Sequence, residues 1–218
     1  EYGAAYEVDI GRVHTEISEL VKAPLLTLSG FGKQDVTETG SSRFCPGQQI
    51  IMTKWAGAAG AAELAYVNKR SLMKYFPAVY VDEAVEYLWE KTAGESLLSI
   101  EKEIKTAWDM GAGAFHNVTK NGVFGALWEM AEMSHAGLEV NFAAIPVRQE
   151  SIEICEQYGV NLYETDSLGS VLIGTEHGED LVRRLREEGI PAAIIGRVTD
   201  GNDRTICRGE ETRFLTPP

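Results

Sequence analysis

From Pro46 onward the apolar positions of this 218-residue chain switch repeatedly between helical and strand periods. Residues 49–52 form a short apolar run that predicts a strand. Ala58 to about Asn68 reads as an Ala-rich helix, and a second helical piece runs on to Pro77. Val81, Ala84, Val85 and Leu88 recur at i, i+3, i+4, i+7 and predict a helix over 80–92. Leu97, Ile100, Ile104 and Trp108 do the same over 96–110, with Gly111 as the stop. A short strand and a polar turn then lead into a helix over 121–135, with Val123, Leu127 and Ala131 on one stripe. Further along, the pattern predicts a strand at 138–142, a helix at 148–158 and a strand at 170–174. A helix at 179–188 is stopped by Gly189 and Pro191, and strands at 192–198 and 204–207 flank a turn at Gly201 and Asn202. This is an α/β domain, placed at residues 45–218.

Residues 1–44 differ. Two strands are expected, at 13–18 and 24–32, followed by a turn-rich linker at 37–42. Two strands alone cannot bury a face. They are expected to pack on the main domain or to pair with another chain, which points to a homodimer or higher oligomer through these strands.

Composition narrows the function classes. A net charge of −13 argues against nucleic-acid backbone or an anionic membrane as the partner. Cys45, Cys155 and Cys207 are odd in number and far apart, with no C-x-x-C pair. That argues against a disulfide framework or zinc site and fits a reducing, cytoplasmic setting. No metal site is expected.

The most informative stretch for chemistry is Gly113 to Gly125. A strand, a polar turn and a glycine-softened helix start present exposed amides that suit an anion such as phosphate. His116, Asn117, Thr119, Lys120, Asn121 and Gly122 put donors and a cation at that turn. Equally, Thr119 or Asn121 caps the helix and His116 belongs to a strand. Lys54 and Gly57 lie at a second strand end, before the small-residue helix start at 56–60. There an anion site and plain helix–sheet packing both fit, and the run lacks phosphate-loop spacing. His14 and Glu16, with Thr15 between them, alternate onto one strand face as candidate residual nucleotide or metal contacts.

These segments resemble one superfamily. Pro46 to Gly57 resembles the "PGD-x-I-(I/V)-(M/V)-T-K-x-(A/I)-G" opening of the C-terminal domain in aminoimidazole-ribonucleotide-synthase-like proteins. His116 to Leu127 resembles the "HD-(V/P)-T-x-GG-(V/L)-x-GAL" of the branch known as hydrogenase maturation factors. Residues 169–174 are similar to its "SGS-L-L-I-A" strand, residues 190–199 to its "GI-x-A-x-x-IG-x-(V/I)-T" stretch, and His14 to Glu16 to the end of its "GG-(H/D/E)-T-E" strand.

The resemblance implies a mixed sheet covered by helices, with residues 1–44 as a two-strand remnant of an N-terminal ATP-binding domain. It also implies Mg-ATP as cofactor, dimers paired through N-terminal domains, and activation or phosphorylation of a substrate. The family's metal-binding aspartates sit mostly in the early N-terminal domain, ahead of the first residue here. Asn117 stands where the branch has Asp, Asn121 where it has the first Gly, and Arg12 and Val13 where it has "GG". An Asn side chain lacks the charge that Mg²⁺ favours. The resulting expectation is a degenerate member, a ligand-binding or interaction module for a small phosphorylated ligand without independent catalysis. The alternative is an ATP- and Mg-dependent enzyme completed by a missing domain or partner.

Overall fold

The computed structural model describes residues 9, 11–31, 43–89, 91–92 and 95–218. The chain divides into two compact units, residues 1–37 and 38–218.

In the first unit, residues 11–31 form no strand, and Ile17, Leu20, Leu26 and Phe31 are exposed. The strands expected at 13–18 and 24–31 are therefore not formed within this single chain. The reason is the one that governs any lone strand pair, which has no third strand or helix to cover its apolar face. Gly32 and the linker expected at 37–42 lie outside the described residues.

The second unit has the expected α/β form. Its strands are β1 (Gln49–Thr53), β2 (Lys91–Thr92), β3 (Glu95–Ser96), β4 (Ala114–Val118), β5 (Gly137–Asn141), β6 (Ser170–Thr175), β7 (Ala192–Thr199), β8 (Arg204–Arg208) and β9 (Glu211–Phe214). Its helices are α1 (Ala58–Leu72), α2 (Ala78–Glu86), α3 (Glu101–Asp109), α4 (Gly122–Ser134), α5 (Gln149–Gln157) and α6 (Gly178–Glu187). A mixed sheet runs in the order β4-β6-β1-β7-β5-β8-β9, while β2 and β3 form a separate hairpin. Neighbouring strands are antiparallel except β5 and β8, which are parallel.

The middle of β1, Ile50 to Met52, is apolar because the strand is central and covered on both faces. Ile50 and Met52 face the core under α4, whereas Ile51 faces the core under α3 and α6. β6 splits in the same way, with Leu172 on the α4 side and Val171 and Ile173 opposite. Val123, Leu127 and Ala131 lie in the α4-side core, as their stripe predicts.

Several boundaries differ from the sequence pattern. The expected break after Asn68 is a kink within one helix, where Asn68 leaves helical geometry and its side-chain Nδ2 donates to the Leu64 carbonyl. The second helix starts directly after Pro77 and stops at Glu86, because Tyr87 turns inward and is buried beside Trp55. The third helix starts only at Glu101, since Leu97 packs into that same cluster rather than continuing the helical stripe. The β2–β3 hairpin and β9 carry no apolar alternation to announce them. All four β9 residues are exposed. Among the described residues, no helix is long and apolar enough to cross a membrane.

Candidate functional site

The two glycine-softened helix starts singled out in the sequence meet a common segment. Residues 162–167 run as a strap past both. A Cβ on Gly57 would lie 2.5 Å from the Leu162 carbonyl oxygen, and one on Gly122 only 2.3 Å from that of Tyr163. Both glycines have positive φ, 66° and 62°, so the turns and the close approach require them together. Hydrogen bonds fasten the strap at each start. The Gly57 amide donates to Ser167 Oγ at 2.7 Å, the Gly60 amide to the Asp166 carbonyl, and the Ser167 amide to the Thr119 carbonyl.

The two starts then part company. At α1 the strap takes up the Gly57 and Gly60 amides, and the next two residues, Ala58 and Ala59, are buried. Lys54 is buried with φ 54°, and its Nζ lies 2.6 Å from Glu103 Oε1. The same ammonium donates to the carbonyls of Ser99 and Gly169 at 2.5 and 3.0 Å. Lys54 thus ties β1, α3 and the start of β6 together, and Gly57 admits the strap. The physical reason is burial, since a cation that far from water holds the oxygens packed around it.

At α4 the strap also packs on Gly122, but the residues leading into the helix, Thr119 to Asn121, are exposed. Gly122 donates its amide to the Thr119 carbonyl and Gly125 to the Asn121 carbonyl. Asn121 occupies the N-cap without a side-chain capping bond. Among the described residues, the Val123 and Phe124 amides are left without an acceptor, the usual condition of an uncapped helix start. Thr119, Lys120 and Asn121 are exposed beside them.

The structure brings His116 and Asn121 together through Glu129, one helical face further along α4. His116 Nε2 is 3.2 Å from Glu129 Oε2, and Asn121 Nδ2 donates to Oε1 at 3.3 Å. Asn117 does not join them. Strand alternation turns it to the face of Phe115, which stacks on Trp108 of α3. His14, Thr15 and Glu16 are exposed in the first unit. Sequence reasoning missed Glu129 and the strap. The cluster of Asn161, Asp166, Ser167 and Gly169 was the available signal, because turn-forming side chains crowd there.

The donor set at the α4 turn does not fit Mg²⁺ in this chain alone. Glu129 is already engaged by His116 and Asn121, and Asn121 contributes no charge. Among the described residues, no three His, Cys, Asp or Glu side chains gather as a metal cluster.

Comparison with known proteins agrees with this architecture. Residues 46–207 match the family described as AIR synthase related protein, C-terminal domain. A selenide, water dikinase of Methanococcus maripaludis is 24% identical over 204 residues, covering 87% of this chain and 58% of that protein. Phosphoribosylformylglycinamidine synthase subunit PurL of Methanopyrus kandleri is 27% identical over 114 residues, covering 52% of this chain and 14% of PurL. Among solved structures, the hydrogenase maturation protein HypE in complex with ATP superposes with a TM-score of 0.63 at 20% identity. That likeness covers 84% of this chain and 55% of HypE. The chain thus spans little more than half the length of the longer-matching relatives and far less of PurL. The family match runs from just before β1 into β8 and takes in the strap and both glycine turns, so the chain belongs to the AIR synthase related family through its C-terminal domain.

Proposed function

We propose that this chain is a ligand-binding module of the AIR synthase related family that receives a small phosphorylated ligand at the β4–α4 turn and has no catalysis of its own. The observation that carries this reading is the uncapped start of α4, with the Val123 and Phe124 amides unpartnered and Thr119 and Lys120 exposed at its rim. A phosphate there gains two amide hydrogen bonds, the positive end of the helix dipole and the Lys120 ammonium. Asn at 121, which carries no charge, supports loss of metal chemistry at this turn. The exposed apolar residues at 13–31 support pairing with a second copy through that segment.

A second reading is favoured by one observation, the coverage of only 58% of the selenide, water dikinase. In it the chain supplies one part of an ATP- and Mg-dependent enzyme whose remaining part comes from elsewhere. HypE bound to ATP makes the nucleotide the first ligand to try.

Titration calorimetry with inorganic phosphate and with Mg-ATP, followed by a phosphate-release assay, tests both. Saturable binding without turnover is expected. In Thr119→Ala/Lys120→Ala the affinity should fall roughly ten- to a hundred-fold, the loss of one charge-assisted hydrogen bond and its neighbour. Unchanged affinity in that double variant would sink the turn as the site. ATP turnover by this chain alone would overturn the absence of catalysis.

A further inference from the structure

A concavity lies on the α4 side of β8 and β9, adjoining the turn through Phe124 and lined by none of Thr119, Lys120 and Asn121. It holds about 280 Å³ and is lined by Phe124, Phe142, Glu164, Arg208, Arg213 and Leu215 among others. That volume is just below the range of small-molecule pockets and limits an occupant to a single ring with short substituents.

Its floor is aromatic and layered. Phe124 stacks on Tyr163 with centroids 5.2 Å apart and planes 12° from parallel, and Phe142 packs on the same ring at 4.6 Å. The Leu215 amide donates to the Arg204 carbonyl, which closes the far wall by holding the residues after β9 against the domain. Such a floor is already ordered before any ligand arrives.

The charges around it are arranged unevenly. Arg213 and Glu211 pair with each other at 3.4 Å. Arg208 has no carboxylate within ion-pair distance among the described residues; its guanidinium lies over the Phe142 ring, 5.4 Å from the centroid. A guanidinium held near a ring without a carboxylate partner keeps N–H donors with which to meet a carboxylate. Glu164 likewise has no ion-pair partner among the described residues. In a chain of net charge −13, an unpaired arginine above an aromatic floor is a local exception. The burial of Tyr163 raises its phenol pKa and Arg208 lowers it again, which agrees with the guanidinium lying close to that ring system.

We propose that this cavity binds a small planar anion, a single aromatic ring carrying a carboxylate and an N–H donor. The carboxylate meets the N–H donors of Arg208, the ring lies against Phe124 and Phe142, and the N–H group donates to Glu164. Ring stacking and one charge-assisted pair provide recognition. The two ends of opposite character set the orientation.

The probe is 4-aminobenzoate, titrated by calorimetry and by NMR of the aromatic ring protons. Saturable binding that shifts phenylalanine and tyrosine ring resonances is expected, with roughly ten-fold or greater weakening in Arg208→Gln. Cyclohexanecarboxylate, which keeps the charge but not the flat ring, should bind more weakly than 4-aminobenzoate. Arg208 is exposed, so the variant should fold, and its thermal melt checks that. Thr119→Ala/Lys120→Ala should leave 4-aminobenzoate binding unchanged, which separates this site from the phosphate turn. Absence of saturable binding, equal affinity in Arg208→Gln, or equal affinity for cyclohexanecarboxylate would each overturn the proposal. Loss of binding in the turn variant would do so as well.

Discussion

Replacing Lys54 by Met should be among the costliest single changes in the domain, and its cost can be worked from the geometry. The Lys54 ammonium and the Glu103 carboxylate are 2.6 Å apart, with side chains only 4% and 3% exposed. Removing the lysine leaves a carboxylate buried without its countercharge, and breaking such a pair costs about 3–5 kcal/mol. The carbonyls of Ser99 and Gly169 lose a donor in the same step, adding about 1 kcal/mol or more. Against a total stability of about 5–15 kcal/mol for a domain, that is a large fraction. Glu103→Leu alone strands the ammonium, which retains its two carbonyl acceptors, so a smaller loss is expected. The double variant Lys54→Met/Glu103→Leu removes both charges and should recover about 2 kcal/mol or more relative to the sum of the singles. Urea unfolding of the four proteins with linear extrapolation supplies the cycle. If Lys54→Met costs under about 1 kcal/mol, the pair is not holding β1 to α3. Lys54 would then return as a candidate ligand cation.

Two other outcomes follow from the geometry. Gly122→Ala forces an L residue to φ 62° and places a Cβ against the strap backbone, so a loss of roughly 2–4 kcal/mol is expected by urea unfolding. A loss under about 1 kcal/mol would mean that the strap yields readily. Tyr80 is held neutral by burial and by Glu153, Glu150 and Glu83, with its pKa pushed up from 10.0 to about 12. A phenol whose folded pKa is raised stabilises the fold fully below the unfolded value and loses that contribution as pH rises between 10 and 12. Stability should therefore fall over that window. Tyr80→Phe, which removes a hydroxyl without a hydrogen-bond partner, should flatten the fall while changing stability little at pH 7. An identical pH profile in the variant would refute the assignment.

The α4 turn was legible in the sequence because its signals are local. A strand period, polar turn residues and Gly122 lie within a few positions of one another. The fate of Lys54 and Gly57 was not legible, since small residues before a helix read alike whether the amides face a ligand or a neighbouring segment. What decides is Ser167, a residue 110 positions away. Asn117 was grouped with His116 by adjacency, yet in a strand adjacent residues face opposite ways. β9 and the β2–β3 hairpin escaped notice because exposed short strands carry no apolar pattern.

By itself the sequence determined the class of the domain and most of its helices and strands. Those follow from periodicity, which is set by backbone geometry within a few residues. Only the tertiary structure decided the strand order, the strap across both glycine turns, the burial of Lys54 against Glu103, and the gathering of Phe124, Phe142 and Arg208 around one cavity. Each of these depends on contacts between distant positions, where packing and the pairing of buried polar groups select one arrangement from many that the local pattern permits.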